Sequence, residues 1–358
     1  MTRYALCGGG TAGHITPLMA VAGELATLDP HAELTVVGTV GGRERELLPD
    51  HLAPAFSVPK LPFPRRLSPY LLRFPIAWVR TVIRVMRELR RRRIDAVVGF
   101  GGYTAAPVYL AAWLARVPLV IHEANALPGM ANKLGARLTR HVAVCFDRTP
   151  LPHATVVGMP MRPEVFSQSA VSVSEARKHF GLKARTPVLL ITGGSTGAQA
   201  INHTIEQAAD QLISAGWQVL HLRGPRNEAP ENVPSGFVSV GYTDRMDLAL
   251  RAATLVISRA GAATVSELQV TGVPAVFVPY HVGNGEQEHN ARATVDAGAA
   301  LMVKNSDFTP QWVSQTLVPL MTNKPQREAM AKAMVALAIT DAASRVATMA
   351  RDAAKEGH

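Results

Sequence analysis

Residues 7–17 read CGGGTAGHITP, and they are the first in the chain whose types and spacing could do chemistry. Gly8, Gly10 and Gly13 keep the G-x-G-x-x-G spacing. They follow a short apolar run, Tyr4 to Cys7, and precede a stretch in which Leu18, Val21 and Leu25 recur at helical intervals. A turn of this kind brings backbone N–H groups and the positive end of a helix up to an anion, typically a phosphate. A nicotinamide dinucleotide would also need an acid at the end of the next strand to hold its ribose. The next apolar run, ELTVVGTV, ends in Val37, Gly38 and Thr39 without a carboxylate, which argues against that cofactor. His14 stands directly behind the turn. Alone it would be a helix cap or a packing residue more often than a reacting group.

The elements that must carry this turn are legible as alternating apolar runs and helical patterns. Strands are expected at 3–7, 33–38, 95–99, 118–122, 141–145 and 154–157, the signature of a parallel, doubly wound α/β sheet. Near residue 160 the stretch GMPMRPEVF interrupts the alternation, as a linker would. The pattern then restarts: PVLLITGGSTGAQAINHTIEQAADQL (187–212) is again strand, glycine turn and helix. Further strands are expected at 217–222, 236–240, 254–257 and 274–278. Two Rossmann-like domains follow from this, 1–160 and 163–338, with their glycine turns facing a common cleft. The alanine-rich tail, about 340–358, is expected as a helix crossing back onto the first domain.

The 358 residues, 47% of them hydrophobic, suffice for two ordinary cores. Two cysteines far apart, Cys7 and Cys145, form neither a disulfide framework nor a metal-ligand spacing, and fit a reducing compartment. The four-residue apolar run near the start is too short for an export signal. The longest apolar run, 105–121, is interrupted by Arg116 and does not read as a membrane span. The net charge of +10 is local: Lys60 to Arg93 holds eleven of the 37 basic residues and one of the 27 acidic ones, leaving 26 of each elsewhere. Within that segment a helix would place Trp78, Val79, Val82, Ile83, Met86 and Leu89 on one side, with Arg80, Arg84, Arg87 and Arg91 in a stripe beside them. Phe63, Tyr70, Leu71, Leu72 and Phe74 lie just before it. An apolar wedge with an arginine stripe suits the surface of an anionic membrane. The plainer alternative is a helix packed on its own sheet with solvated arginines. A nucleic-acid partner would also suit the charge, but no RNA-binding motif or zinc spacing supports one.

The motifs read together are GGGTAGHITP, GFGGYTAAP (99–107), IHEANALPGMANK (121–133), GMPMRPE (158–164), TGGSTGAQAIN (192–202), SRAGAATVSE and GVPAVFVPYHVGNGEQEHNA. In this order and over both halves, the chain resembles the GT-B glycosyltransferases. Within them it resembles the transferases that move N-acetylglucosamine (GlcNAc) from UDP-GlcNAc to the muramyl sugar of lipid I, making lipid II for peptidoglycan. The resemblance implies a peripheral protein at the cytoplasmic face of the plasma membrane, meeting an undecaprenyl-diphosphate acceptor and proteins of cell-wall synthesis and division. It implies no cofactor and no metal, and no Asp-x-Asp motif occurs in the chain.

Residue by residue, the resemblance assigns Ser195 and its glycine turn to the donor diphosphate, and Glu267 to both ribose hydroxyls. The helix opening of Ala262, Ala263, Thr264, Val265 and Ser266 would also contact the donor. Thr243 with Tyr242 would lie by the uracil, and Arg162 would close over it. Asn125 and Gln287 would bond the sugar hydroxyls, and Thr11, Ala12 and Gly13 would line the donor or acceptor diphosphate. The reaction wants a base for the C4 hydroxyl. His14, kept neutral by a helix N-terminus, and Glu123 are the two candidates, and Glu123 could instead orient the histidine or the acceptor. Ala12 stands where the family commonly has glycine, and Glu286 where it commonly has glutamine. Two other readings stay open, a glycolipid-forming UDP-sugar transferase of the same superfamily and a nucleotide-sugar epimerase of the same build.

Overall fold

Strand sequences such as YALC, AVVG and the LVI of LVIHE are apolar on both pleat faces, as required when helices cover a parallel sheet from both sides. The computed structural model describes residues 1–9, 12–42, 48–52, 54–61, 69–166, 171–194, 197–280 and 285–357, with backbone alone at 12, 51, 69, 71 and 164. The chain forms two units, Met1–Arg162 together with Asp341–His358, and Pro163–Thr340.

Among the described residues the first unit contains seven strands: β1 Arg3–Cys7, β2 Glu33–Thr39, β3 Phe56–Val58, β4 Ala96–Gly99, β5 Leu119–Glu123, β6 His141–Val144 and β7 Ala154–Val156. All pair in parallel, in the order β3-β2-β1-β4-β5-β6-β7. The two-residue period of a strand divides β1 cleanly. Tyr4 and Leu6 join one core with Ile15, Leu18 and Val21 of the helix Ala12–Leu28. Ala5 and Cys7 join the opposite core with Val82, Val85 and Leu89 of the helix Pro69–Arg91 and Val108 and Tyr109 of the helix Ala105–Ala115. The helix Ala342–Glu356 returns to this unit and buries Val346, Ala347, Ala350, Ala353 and Ala354 in the first of these cores, against the helix Ala12–Leu28.

The second unit has six described strands: β8 Val188–Thr192, β9 Gln218–Leu222, β10 Phe237–Val240, β11 Leu255–Ser258, β12 Ala275–Phe277 and β13 Ala300–Met302. They too are parallel, in the order β10-β9-β8-β11-β12-β13. In each unit the strand order reverses beside the first strand, and ligands of open α/β sheets bind at the carboxyl ends there. Two strands escaped the sequence reading, β3 and β13. Each is three residues long at a sheet edge, too short to show a period.

Among the described residues two histidines are fully buried, one in each unit. His122 donates from Nε2 to the Gly158 carbonyl at 2.9 Å, and His221 donates from Nε2 to Asn202 Oδ1 at 3.0 Å. Burial disfavours the imidazolium and lowers both pKa values to about 4. Between pH 6.5 and 4 the unfolded chain binds protons that the folded chain refuses, so stability is lost as pH falls through that window. The loss is on the order of 3 kcal/mol per histidine. Urea unfolding followed from pH 7 to pH 4.5 should show this decline. The His221→Gln variant, which can still donate to Asn202, should show a shallower one.

Candidate active site

The first glycine turn is pressed against a second one. Gly8 is closely packed, since a Cβ there would lie 3.0 Å from Phe100 Cβ and 3.2 Å from the His14 carbonyl oxygen. After β4, Gly101 and Gly102 take φ of 83° and 86°, and a Cβ on Gly102 would lie 2.3 Å from the Gly9 carbonyl oxygen. Backbone therefore meets backbone at the carboxyl ends of β1 and β4, where the strand order reverses. The helix Ala12–Leu28 opens here with Gly13 exposed; Thr11 and the Ala12 side chain lie outside the described residues.

His14 Nδ1 lies 3.1 Å from the Gly9 carbonyl oxygen. A carbonyl only accepts, so Nδ1 carries the proton and the lone pair of the neutral ring resides on Nε2. Burial lowers the pKa of His14, opposed by the bond to Gly9, which favours the imidazolium. The ring is thus kept neutral near pH 7 with its basic nitrogen defined, the condition a general base needs.

Glu123, at the end of β5, is buried and heavily bonded. Its Oε1 accepts from Asn125 N–H at 2.9 Å, and its Oε2 from Gly129 N–H at 3.0 Å and Asn132 Nδ2 at 2.9 Å. Burial raises its pKa while these donors lower it. The carboxylate's lone pairs are occupied by the loop that follows it, which suits the orienting role and leaves little for proton abstraction. Asn125 is half-buried on that loop. Asn132, in the helix Met130–Gly135, was not singled out from sequence; its only signal there was a polar residue in a short helical pattern.

In the second unit the turn after β8 includes Gly194 and Gly197 at φ of 84° and 79°, and a Cβ on Gly197 would lie 2.1 Å from the Arg223 carbonyl oxygen. Asn202 Nδ2 donates to that same oxygen at 2.9 Å, fixing the turn from beneath. Ser195 lies outside the described residues. The helix Ala262–Thr271 starts after Gly261, so the N–H groups of Ala262, Ala263 and Thr264 have no partner within the helix and are available to an anion. Val265 and Ser266 are buried with Ala262. Ala263 and Thr264, between them in the same first turn, are half-buried. Glu267 is half-buried on the following turn of this helix.

Gln287 shows a constraint that sequence did not. Its Oε1 accepts from Tyr280 N–H at 2.9 Å and Ala260 N–H at 3.3 Å, joining the loops after β11 and β12. Its amide can therefore offer a sugar only the donors on Nε2. Thr243 Oγ1 accepts from Arg245 N–H at 3.0 Å, and Tyr242 and Arg162 are exposed.

The helix Pro69–Arg91 has three faces where the sequence suggested two. Val82, Val85 and Leu89 are buried, with Trp78 and Met86 packed beside them. Leu72, Ile76, Val79 and Ile83, spaced 4, 3 and 4 residues apart, are exposed in a stripe of their own. Arg73, Arg80, Arg84 and Arg87 are exposed beside that stripe. Val79 and Ile83, grouped by the sequence with Val82 and Leu89 on one apolar side, are exposed because the apolar arc is wider than the contact with the sheet. Phe74 stacks edge-on to Tyr70 at 5.8 Å between ring centroids, while the Leu71 side chain and Phe63 lie outside the described residues. No described helix is long and apolar enough to cross a membrane.

The glycosyltransferase family 28 N-terminal domain matches residues 4–144, and the family 28 C-terminal domain matches residues 188–346. The chain belongs to glycosyltransferase family 28. Within this family it is 48% identical over 352 residues to the UDP-N-acetylglucosamine–N-acetylmuramyl-(pentapeptide) pyrophosphoryl-undecaprenol N-acetylglucosamine transferase of Leifsonia xyli subsp. xyli (strain CTCB07), covering 98% of each chain. The crystal structure of Acinetobacter baumannii MurG superposes with a TM-score of 0.82 at 29% identity, over 98% of this chain and 100% of that one. A family 28 member of the MurG kind is therefore what the two sheets and their glycine turns build. The UDP-GlcNAc 2-epimerase of Neisseria meningitidis shares the fold alone, with a TM-score of 0.70 at 14% identity over 98% of this chain and 100% of that chain.

The contact between the two turns of this family 28 chain can be tested directly. Gly102→Ala must leave φ of 86° or collide with Gly9. The backbone conformation alone costs about 1–3 kcal/mol. Thermal unfolding should show a lowered midpoint, whereas Gly181→Ala, at φ of 71° with open space around it, should cost less.

Proposed function

We propose that this chain transfers GlcNAc from UDP-GlcNAc to the C4 hydroxyl of N-acetylmuramic acid in undecaprenyl-diphosphate-linked lipid I, inverting the anomeric centre and forming lipid II. The observation that carries this is the match of both family 28 domains, together with 48% identity over nearly the full length to a transferase of that name. His14 Nε2 takes the proton of the C4 hydroxyl as that oxygen attacks the anomeric carbon and the bond to UDP breaks. The second unit holds the donor. Backbone N–H groups of the turn after β8 and of the helix starting at Ala262 meet the diphosphate, and Glu267 accepts from the two ribose hydroxyls. The charge on leaving UDP is met by these dipoles and not by a resident cation. Transfer should therefore continue undiminished in excess EDTA.

Offered a short-chain lipid I analogue, the protein should release UDP from UDP-GlcNAc and do so much more slowly from UDP-glucose and UDP-GalNAc. Equal turnover of the three donors, or none, counts against the assignment. His14→Ala should lower kcat by about 10²–10⁴ with UDP affinity unchanged. In the parent, kcat/KM should rise with pH as His14 loses its proton, with a midpoint below the ordinary imidazole value of about 6.5.

The exposed stripe Leu72, Ile76, Val79 and Ile83 with its arginines is the surface that meets an anionic membrane at the cytoplasmic face, where the acceptor's lipid tail is anchored. Each basic residue near anionic lipid contributes about 1 kcal/mol. Replacing Arg80, Arg84 and Arg87 with Glu should release the protein from phosphatidylglycerol vesicles in a sedimentation assay and leave turnover of a soluble acceptor analogue intact. Continued sedimentation would remove the lipid-facing role.

A further inference from the structure

Tyr109, Asn132 and Glu123 form a buried hydrogen-bonded chain beneath the two loops that follow β4 and β5. The Tyr109 hydroxyl accepts from Gly101 N–H at 3.1 Å and donates to Asn132 Oδ1 at 2.8 Å. Asn132 Nδ2 donates to the His122 carbonyl at 3.0 Å and to Glu123 Oε2 at 2.9 Å. Glu123 then holds the N–H groups of Asn125 and Gly129. Every sense in this chain is settled. A backbone N–H only donates and a carboxylate only accepts, so the Asn132 amide has one workable orientation and the tyrosine proton must point at it. The Tyr109 ring has no freedom to shift, because it lies directly on Gly99 and Gly135, where a Cβ would come within 2.0 Å and 2.7 Å of it. All three side chains are buried.

At its other end the chain reaches the reacting group through backbone. Gly101 precedes Gly102, Gly102 is packed against the Gly9 carbonyl, and that same carbonyl accepts from His14 Nδ1. We propose that Tyr109 and Asn132 are positioning residues for the transfer reaction, holding the loop Asn125–Gly129 and the turn that orients His14 in a single fixed arrangement. The proposal rests on the reading that the first unit receives the acceptor. Neither residue touches substrate. Each acts through Gly101 and Glu123.

The test is Tyr109→Phe, which removes one oxygen and keeps the ring on its two glycines. Displacing reacting groups from alignment at a distance should lower kcat for the lipid I analogue by about tenfold to a hundredfold. KM for UDP-GlcNAc should not change. Amide hydrogen exchange should quicken at Gly129 as well as at Gly101, although Gly129 makes no bond to Tyr109. The double variant Tyr109→Phe/Asn132→Ser should lose no more than the worse single variant, as residues acting in one chain do. Parental kcat in Tyr109→Phe, unchanged exchange at Gly129, or additive losses would each overturn the proposal. So would donor KM and acceptor kcat worsening together with the melting temperature, the mark of a purely structural role. If Tyr109→Phe does not fold, Asn132→Ser carries the same kinetic and exchange measurements. Failure of the parent protein to use lipid I would sink the proposed function, while the exchange result at Gly129 would still decide the coupling.

Discussion

A phosphate can be held by backbone amides only where no Cβ stands between them, and that exclusion governs both halves of this protein. Gly102 against Gly9, and Gly197 against Arg223, are approaches of carbonyl oxygen to α-carbon that leave no space for any side chain. The strand order supplies the place, since a sheet that reverses beside its first strand opens a crevice at the carboxyl ends. Helices that start there contribute N–H groups with no internal partner. Under the proposed function, the anion would be met by main chain in each unit, and the side chains nearby would be left to sense what the phosphate is attached to.

The sequence exposed this plan well where the pattern is repetitive and poorly where it is relational. Glycine turns after β1 and β8 stood out because glycine spacing and the apolar run before it are local properties. The parallel alternation was legible for the same reason, and the two strands that escaped, β3 and β13, are three-residue edges. What sequence could not show is which lone pair is already in use. Gln287 is expected to bond the sugar, and Glu123 to act as base or to orient the histidine or acceptor; the oxygen of one and both oxygens of the other are engaged by backbone N–H groups. Tyr109 and Asn132, the latter within a quoted motif, carry no assigned role from sequence because an aromatic in an apolar helix and an asparagine in a short one are unremarkable until the fold brings them to 2.8 Å. Ser195 and Thr11, read from the motifs, fall outside the residues whose arrangement is described.

The helix Pro69–Arg91 shows how one amphipathic pattern can hold two separate apolar arcs. Its inner face belongs to the core with Val97 and Val108, and its outer stripe is exposed. A wheel drawn from sequence merges the two arcs because both are apolar. Only burial separates them. The separation also explains why the basic excess is local: arginines here flank an exposed apolar strip and are not spread over the surface as solubilising charge.

The return of the helix Ala342–Glu356 to the first unit has a consequence for how the protein comes into being. On the ribosome, the amino-terminal sheet is made before the helix Ala342–Glu356, and the flank of its core that takes Val346, Ala347 and Ala350 stays open until that helix emerges. The intervening unit, Pro163–Thr340, is contiguous and can complete itself earlier. At roughly 5–20 residues per second, the uncovered flank persists for on the order of ten seconds or more of elongation. The domain begun first is therefore closed by a segment made after the whole of the second unit.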